Sequence, residues 1–164
     1  IESIKLWGSI RNLWMVGTIK GEEVKDIFGA QFSARYGVGL AFVVGENRIK
    51  AYHQDIPPFG RWAEVVEMSK KVEVYNDEAI PERGPIFGFA KCEIKLKDGR
   101  TLKGESGDPK GFPGNPMTRE ERQEKFYSQA LLVQSKEKAD KLVELVENLE
   151  LLEDVRPILR NMVC

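Results

Sequence analysis

The stretch from Phe89 to Glu105 leaves the chain the least freedom. Ala90, Cys92, Ile94 and Leu96 alternate with Lys91, Glu93, Lys95 and Lys97. A period of two sends the first set to one face of a β-strand and the second to the other, so a half-buried strand with one wet face is predicted. Asp98-Gly99, a dipeptide favoured by hairpin turns, comes next, and Arg100 to Glu105 returns as the partner strand. A chain that carries this hairpin must build an antiparallel sheet and cover its apolar side.

The rest of the sequence supplies further strands and the cover. Ile1 to Trp7 reads as a strand, with Ile4 and Leu6 alternating against Ser3 and Lys5, and Lys71 to Tyr75 reads as a short one. Phe32 to Val44 is predicted helical, with Ala34, Val38, Ala41 and Phe42 at helical spacing. Its Gly37 and Gly39 each cost about 1 kcal/mol against Ala, which predicts that another backbone comes close. Gly45-Glu46-Asn47 provides the stop. Arg61 to Lys70 reads as a short helix, while His53 to Gly60 and Asn76 to Pro85 read as loops.

Gly107 to Phe126, GDPKGFPGNPMTREERQEKF, runs from a Gly/Pro-rich loop into a helix start. Thr118 and Glu121 have the spacing of a capping box, and the segment reads as the joint between the sheet and the C-terminal helices. Two helices follow, Glu120 to Val133 and Lys136 to Leu152. Ser135 is the N-cap of the second, whose apolar stripe is Ala139, Leu142, Val143, Val146 and Leu149. Asp154 is placed to cap a last short helix, with Pro157 in its first turn. The class is therefore α+β: a small, mostly antiparallel sheet packed against several helices, the C-terminal half ending in helices. Residues 1–164 read as a single domain.

Composition narrows the partners. The 25 basic residues nearly balance the 26 acidic ones, so charge gives no reason to propose nucleic acid or an anionic membrane. The longest apolar stretch, Val38 to Val44, is too short to span a bilayer, and no basic-then-apolar signal opens the chain. Cys92 and Cys164 are too few for a disulfide framework, and a reducing, cytoplasmic compartment follows. Cys92, within the alternating strand, reads as a small core residue. One histidine, His53, and two distant cysteines do not make a zinc site, so no metal is predicted. The opening at Ile1, without methionine, reads as the start of a piece of something longer. Trp7, Trp14, Phe28 and Phe59 then read either as core or as a surface that another domain covers, and the second reading predicts exposed apolar area.

No self-contained catalytic motif appears: there is no phosphate loop and no nucleophile elbow. His53 lies between polar neighbours and reads as a surface residue rather than a base. Tyr36 has two readings, a packing residue with its hydroxyl at the surface or a general acid and hydrogen-bond donor at the mouth of a cleft. Arg35 could clamp a carboxylate, or it could belong to a solvated helix face.

The order of pieces resembles the C-terminal domain of the MmgE/PrpD family, which includes 2-methylcitrate dehydratase, cis-aconitate decarboxylase and iminodisuccinate epimerase. The residues that carry the resemblance are A-x-F-S-x-x-Y-x-V at Ala30 to Val38, Lys-Val-x-Val at Lys71 to Val74, and the strand ending in Asp98-Gly99. G-x-P-x-N-P-M-T follows at Gly111 to Thr118, with Lys125-Phe126 beyond it and a helix leading to Leu149-Glu150. The resemblance implies a lid domain of a lyase or isomerase that acts on small di- or tricarboxylates by moving a proton next to a carboxylate, with no metal or organic cofactor. It implies a homodimer and a separate helical domain that carries most of the catalytic groups, so this segment alone would be inactive. It carries Tyr36 over as a catalytic residue, with Arg35 and Ser33 as substrate contacts. Many relatives have proline immediately before the tyrosine where this chain has Arg35, which leaves the substrate open. The rival reading is a non-catalytic partner or regulatory domain that binds a separate helical subunit.

Overall fold

The structure, a computed structural model, describes residues 1–10, 13–55, 61–80 and 89–162. The chain divides into two compact units, Ile1–Asn115 and Pro116–Cys164.

The first unit holds a four-stranded sheet built from β1 (Ser3–Gly8), β2 (Val72–Asn76), β3 (Ala90–Lys95) and β4 (Thr101–Ser106), in the order β2-β1-β3-β4. β1 runs parallel to β2 and antiparallel to β3, and β3 runs antiparallel to β4. The chain is α+β, as the alternation required. The register sets Val74 beside Leu6, Leu6 beside Cys92 and Cys92 beside Gly104, with the row Val72, Ile4, Ile94 and Leu102 parallel to it. These side chains share one face.

That face is covered unevenly. Ile4 and Val72 are buried, yet every residue of β4 is exposed and Leu102 is half exposed. The predicted contrast of one dry and one wet face therefore fails on the outer strand. Cys92 is half-buried rather than a core residue, because the helices of this unit pack chiefly on β2 and on one another. The turn also has one more residue than a two-residue Asp-Gly hairpin. Gly99 N–H donates to Leu96 O (3.0 Å) and Leu96 N–H to Arg100 O (2.8 Å), with Gly99 at φ 88°, so Lys97-Asp98-Gly99 form a three-residue loop.

The helical layer consists of α1 (Ile27–Gln31), α2 (Ala34–Val44), α3 (Ile49–Asp55) and α4 (Trp62–Ser69). α2 and α4 were legible in sequence; α1 and α3 were not. Asp26 caps α1 by accepting from Gly29 N–H (2.7 Å). The backbone of His53 belongs to α3 rather than to a loop, and its side chain, like residues 56–60, lies outside the described part. Phe59, residues 81–88 and Cys164 lie outside it too.

The buried face of α2 is not the predicted one. Tyr36, Gly37, Gly39 and Leu40 are buried, whereas Ala41 and Phe42 are exposed. The core joins Tyr36 and Leu40 to Val24, Ala30, Ala51, Tyr52, Val65 and Val66. Each large side chain buried there is worth about 1.5–3 kcal/mol. Gly39 explains the close packing of α2 on α4: a Cβ there would stand 2.7 Å from Val65 O and 3.1 Å from Ser69 N. Gly37 instead faces side chains, Tyr52 Oη at 3.3 Å and Asn47 Nδ2 at 3.4 Å. Gly45 ends α2 in the left-handed conformation, and its N–H donates to Ala41 O (3.0 Å).

The Gly/Pro segment closes on itself at the end of this unit. Asn115 Nδ2 donates to Asp108 O (2.9 Å), Asn115 N–H to Phe112 O (2.9 Å), and Gly111 N–H to Asn115 O (2.8 Å).

The second unit comprises α5 (Arg119–Ala130), α6 (Lys136–Glu147) and α7 (Arg156–Met162). The predicted caps are present. Thr118 and Glu121 form the capping box, Ser135 accepts from Lys138 N–H, and Asp154 accepts from Arg156 N–H (2.9 Å). α6 buries Ala139, Leu142 and Leu145; of the predicted stripe, Val146 and Leu149 are exposed.

Candidate functional site

The three candidate residues sit in the first turn of α2, and local chemistry fixes that turn. Ser33 is the N-cap: its hydroxyl accepts from Tyr36 N–H (3.1 Å) and donates to Ile19 O (2.8 Å). Ser33 is buried, and both bonds are structural. Arg35, the next residue but one, donates from Nη1 to Gly17 O. Gly17 closes a single π-helical turn, Leu13–Gly17, in the stretch between β1 and α1 that sequence reasoning left unassigned. Two side chains of one helix start thus hold two points of the same preceding segment.

Tyr36 is wholly buried, with 0% of its surface exposed. Neither sequence reading of its hydroxyl, at a surface or at the mouth of a cleft, describes this placement within the chain. Its ring lies 6.4 Å from that of Tyr52, tilted by 31°. Tyr52 went unnoticed in sequence because it lies in a helix that was not recognised. Its hydroxyl pairs with the Asn47 side chain, and burial pushes its pKa up, the Asn47 bond opposing this more weakly. The structure therefore sets Tyr36 beside Tyr52, whose hydroxyl pairs with Asn47, while Ser33 and Arg35 of the same helix start bond the preceding segment.

One cavity reaches this turn at Ala34, and it is apolar. A space of about 160 Å³ between the sheet and the π-helical turn is lined by Leu6, Leu13, Val16, Gly17, Ala34 and Val74 among others, and it offers a carboxylate no charged group. Larger depressions lie elsewhere. One of about 490 Å³ sits by Trp7, Lys91, Glu93 and Glu105 on the sheet, one of about 440 Å³ by Ile80, Phe89 and Ser106, and one of about 450 Å³ by Phe126, Val143 and Ile158 within the second unit. None of these three is lined by Ser33, Arg35 or Tyr36. Among the described residues, no group of His, Cys, Asp and Glu side chains is placed to hold a metal ion, and no helix is long and apolar enough to cross a membrane.

Two aromatic residues are far more open than a closed core would leave them. Trp14 is 78% exposed and Phe28 69% exposed, the latter's ring 4.6 Å from that of Phe32. Trp7, by contrast, is half-buried and stacks on Tyr75 at 5.7 Å.

Comparison with known proteins bears on the first turn of α2 and on the sheet alike. The profile of the MmgE/PrpD C-terminal domain matches residues 1–151. A cis-aconitate decarboxylase from Homo sapiens is 37% identical over 93 residues, covering 56% of this chain and 19% of the relative. A cis-aconitate decarboxylase from Mus musculus is 33% identical over 133 residues, covering 80% of this chain and 26% of the relative. The chain thus spans about a fifth to a quarter of the length of these relatives.

Proposed function

The chain belongs to the MmgE/PrpD family, with the family's C-terminal domain at residues 1–151, and from that premise we propose that it is the lid of a lyase or isomerase of small di- or tricarboxylates. The family match along nearly the whole chain carries this reading. The similarity to proteins named cis-aconitate decarboxylase supports the substrate class. The reaction is a proton transfer at the carbon next to a carboxylate. Negative charge then develops on the carboxylate oxygens, where hydrogen-bond donors are most effective.

The first turn of α2 supplies such donors. Arg35 now donates to a neutral carbonyl, that of Gly17. A carboxylate accepts more strongly from a guanidinium than a carbonyl does, so a substrate carboxylate would draw Arg35 away from Gly17. Tyr36 donates to or orients the substrate, and Ser33 holds the turn in place while contributing a hydroxyl. The lid reading also has the rest of the protein covering Trp14 and Phe28, a helical domain supplying the base, and a homodimer in a cytoplasmic setting. The isolated segment is then inactive; measurable turnover of cis-aconitate or 2-methylcitrate by residues 1–164 alone would contradict that.

The burial of Tyr36 sets the terms of the test. Tyr36→Phe keeps the packed ring and removes only the hydroxyl. In the full-length protein, turnover should fall roughly 100-fold, the lower end of a general acid's contribution, while stability falls only by about the 1–3 kcal/mol of one lost buried polar contact. A folded variant with unaltered kcat and KM would assign Tyr36 to the core alone.

A further inference from the structure

Among the described residues β4 has one neighbour, β3, and its other edge is open, with all six of its residues exposed. The turn fixes which backbone groups face that edge. Leu96 N–H donates to Arg100 O, so the hydrogen-bonded pairs of the hairpin fall at Ile94–Leu102 and Cys92–Gly104. Thr101, Lys103 and Glu105 therefore turn their N–H and C=O groups away from β3, toward the open edge.

We propose that this edge pairs antiparallel with β4 of a second copy of this chain, about a two-fold axis at Gly104. In that register Lys103 lies opposite Glu105 of the copy and Glu105 opposite its Lys103, each pair exchanging both backbone bonds and joining opposite charges. The neighbouring registers are worse: one sets Lys103 against Lys103, the other Glu105 against Glu105, and like charges directly opposite destabilise a sheet. Charges of a single sign would guard an edge against pairing. Opposite charges two residues apart instead favour one self-complementary partner.

Gly104 is the second observation. Its φ is not positive, and a Cβ built on it would meet nothing within 4 Å. Neither turn geometry nor crowding by the described residues calls for glycine in a strand that glycine weakens. In the proposed pairing Gly104 meets its own copy at a non-hydrogen-bonded position, where Cα atoms approach to about 4.5 Å. That is the point of closest backbone approach. The interface does not depend on the catalytic reading, and either can fail alone.

The test is a cysteine at the axis. The full-length chain carrying Gly104→Cys, with Cys92→Ser to remove the thiol across the hairpin, should form a disulfide-linked dimer under mild oxidation, since about 4.5 Å suits a disulfide. The Cys92→Ser chain alone is the control. Because Lys103 also pairs with Glu93 across the hairpin (3.3 Å) and Glu105 lies opposite Lys91, the reversal is made together with the hairpin partner: adding Lys103→Glu with Glu93→Lys should lower the linked fraction about tenfold at equal protein concentration, and adding Glu105→Lys with Lys91→Gln to that should restore it. Three results would overturn the proposal: no linked dimer beyond the control, a linked fraction indifferent to the charge reversal, or a monomeric full-length protein whose Lys103 and Glu105 amides exchange slowly. The last would mean that the edge is occupied from within the chain.

Discussion

The contact of α2 with α4 and the three helices of residues 116–162 are both helical packing, yet they hold together differently. In the first, backbone meets backbone at Gly39, and Tyr36, Leu40, Val65 and Val66 are shut in around it. In the second, α6 buries only Ala139, Leu142 and Leu145, while Val133, Val146, Leu151 and Leu159 are largely exposed. What the second unit has instead is good ends and surface pairs. It has three capped helix starts, the Arg119–Glu147 pair, the Lys136–Asp140 pair and the Tyr127 hydroxyl on Asp140. Caps are worth about 1 kcal/mol each and exposed ion pairs less. A unit built this way should be the weaker, and each element can be tested against its counterpart.

The largest effect is expected where packing is closest. Gly39→Val places branched carbons against Val65 O and Ser69 N, both backbone atoms that can move only if α4 moves. The cost should be about 3 kcal/mol, at the upper end of overpacking, and it should appear as a drop in the denaturant midpoint of the first unit's amides in native-state hydrogen exchange. If Gly39→Val leaves those amides as protected as before, the α2–α4 contact is not the stronger element.

Leu142→Ala asks the reverse question. Leu142 is one of the few buried side chains of the second unit, and its loss should cost about 2 kcal/mol, the low end for such truncations because the site adjoins an open groove. A unit with little stability to lose should then exchange its α5–α7 amides freely while those of α2 and α4 stay protected. Equal loss of protection in both units would show that they unfold as one, and the contrast would dissolve.

The two regions also differ in how much of them the sequence disclosed. The caps of the second unit were all readable, because a cap is a local hydrogen bond between residues three apart or fewer: Thr118 with Glu121, Ser135 with Lys138. The stripe of α6 was read correctly at Ala139 and Leu142 and one position off farther along, since Leu145 and Val146 are both apolar and only the neighbouring helices decide which of them is covered. In the first unit the sense of Gly39 was legible but the buried face of α2 was not. Tyr36 and Leu40 are buried because α3 and α4 lie against them, and α3 itself carries no strong helical pattern. The covered and uncovered halves of the sheet have the same alternation, so Cys92 read as core although the main helix packing of its unit falls on β2. At the candidate site the residues were named in advance, and the bonds of Ser33 and Arg35 to Ile19 and Gly17, 14 and 18 residues away, were not. No local pattern encodes a partner at that distance.

The smallest effect concerns the surface pairs themselves. Glu147 accepts from Arg119 Nε (2.8 Å) and Gln123 Nε2 (2.7 Å), and these bonds, Arg119 first, hold its carboxyl down at about 2 against an ordinary 4.5. A carboxylate whose pKa is lower folded than unfolded stabilises fully above the unfolded value, and its contribution disappears as pH falls through the folded one. The pair should therefore support the second unit undiminished at pH 6 and progressively less from pH 4.5 down to 2. Asp140, Glu120 and Glu137 are shifted in the same direction, so acid weakening alone does not single out Glu147. Comparison with Glu147→Gln does. The wild-type chain should exceed this variant in α5–α6 amide protection by a small margin at pH 6, and the margin should shrink below pH 4.5 and close only below about pH 2. It should also narrow in about 1 M salt, because the charges are screened there. A margin that stays constant across the acid range would assign Glu147 a packing role and remove the surface pairs from what holds the second unit together.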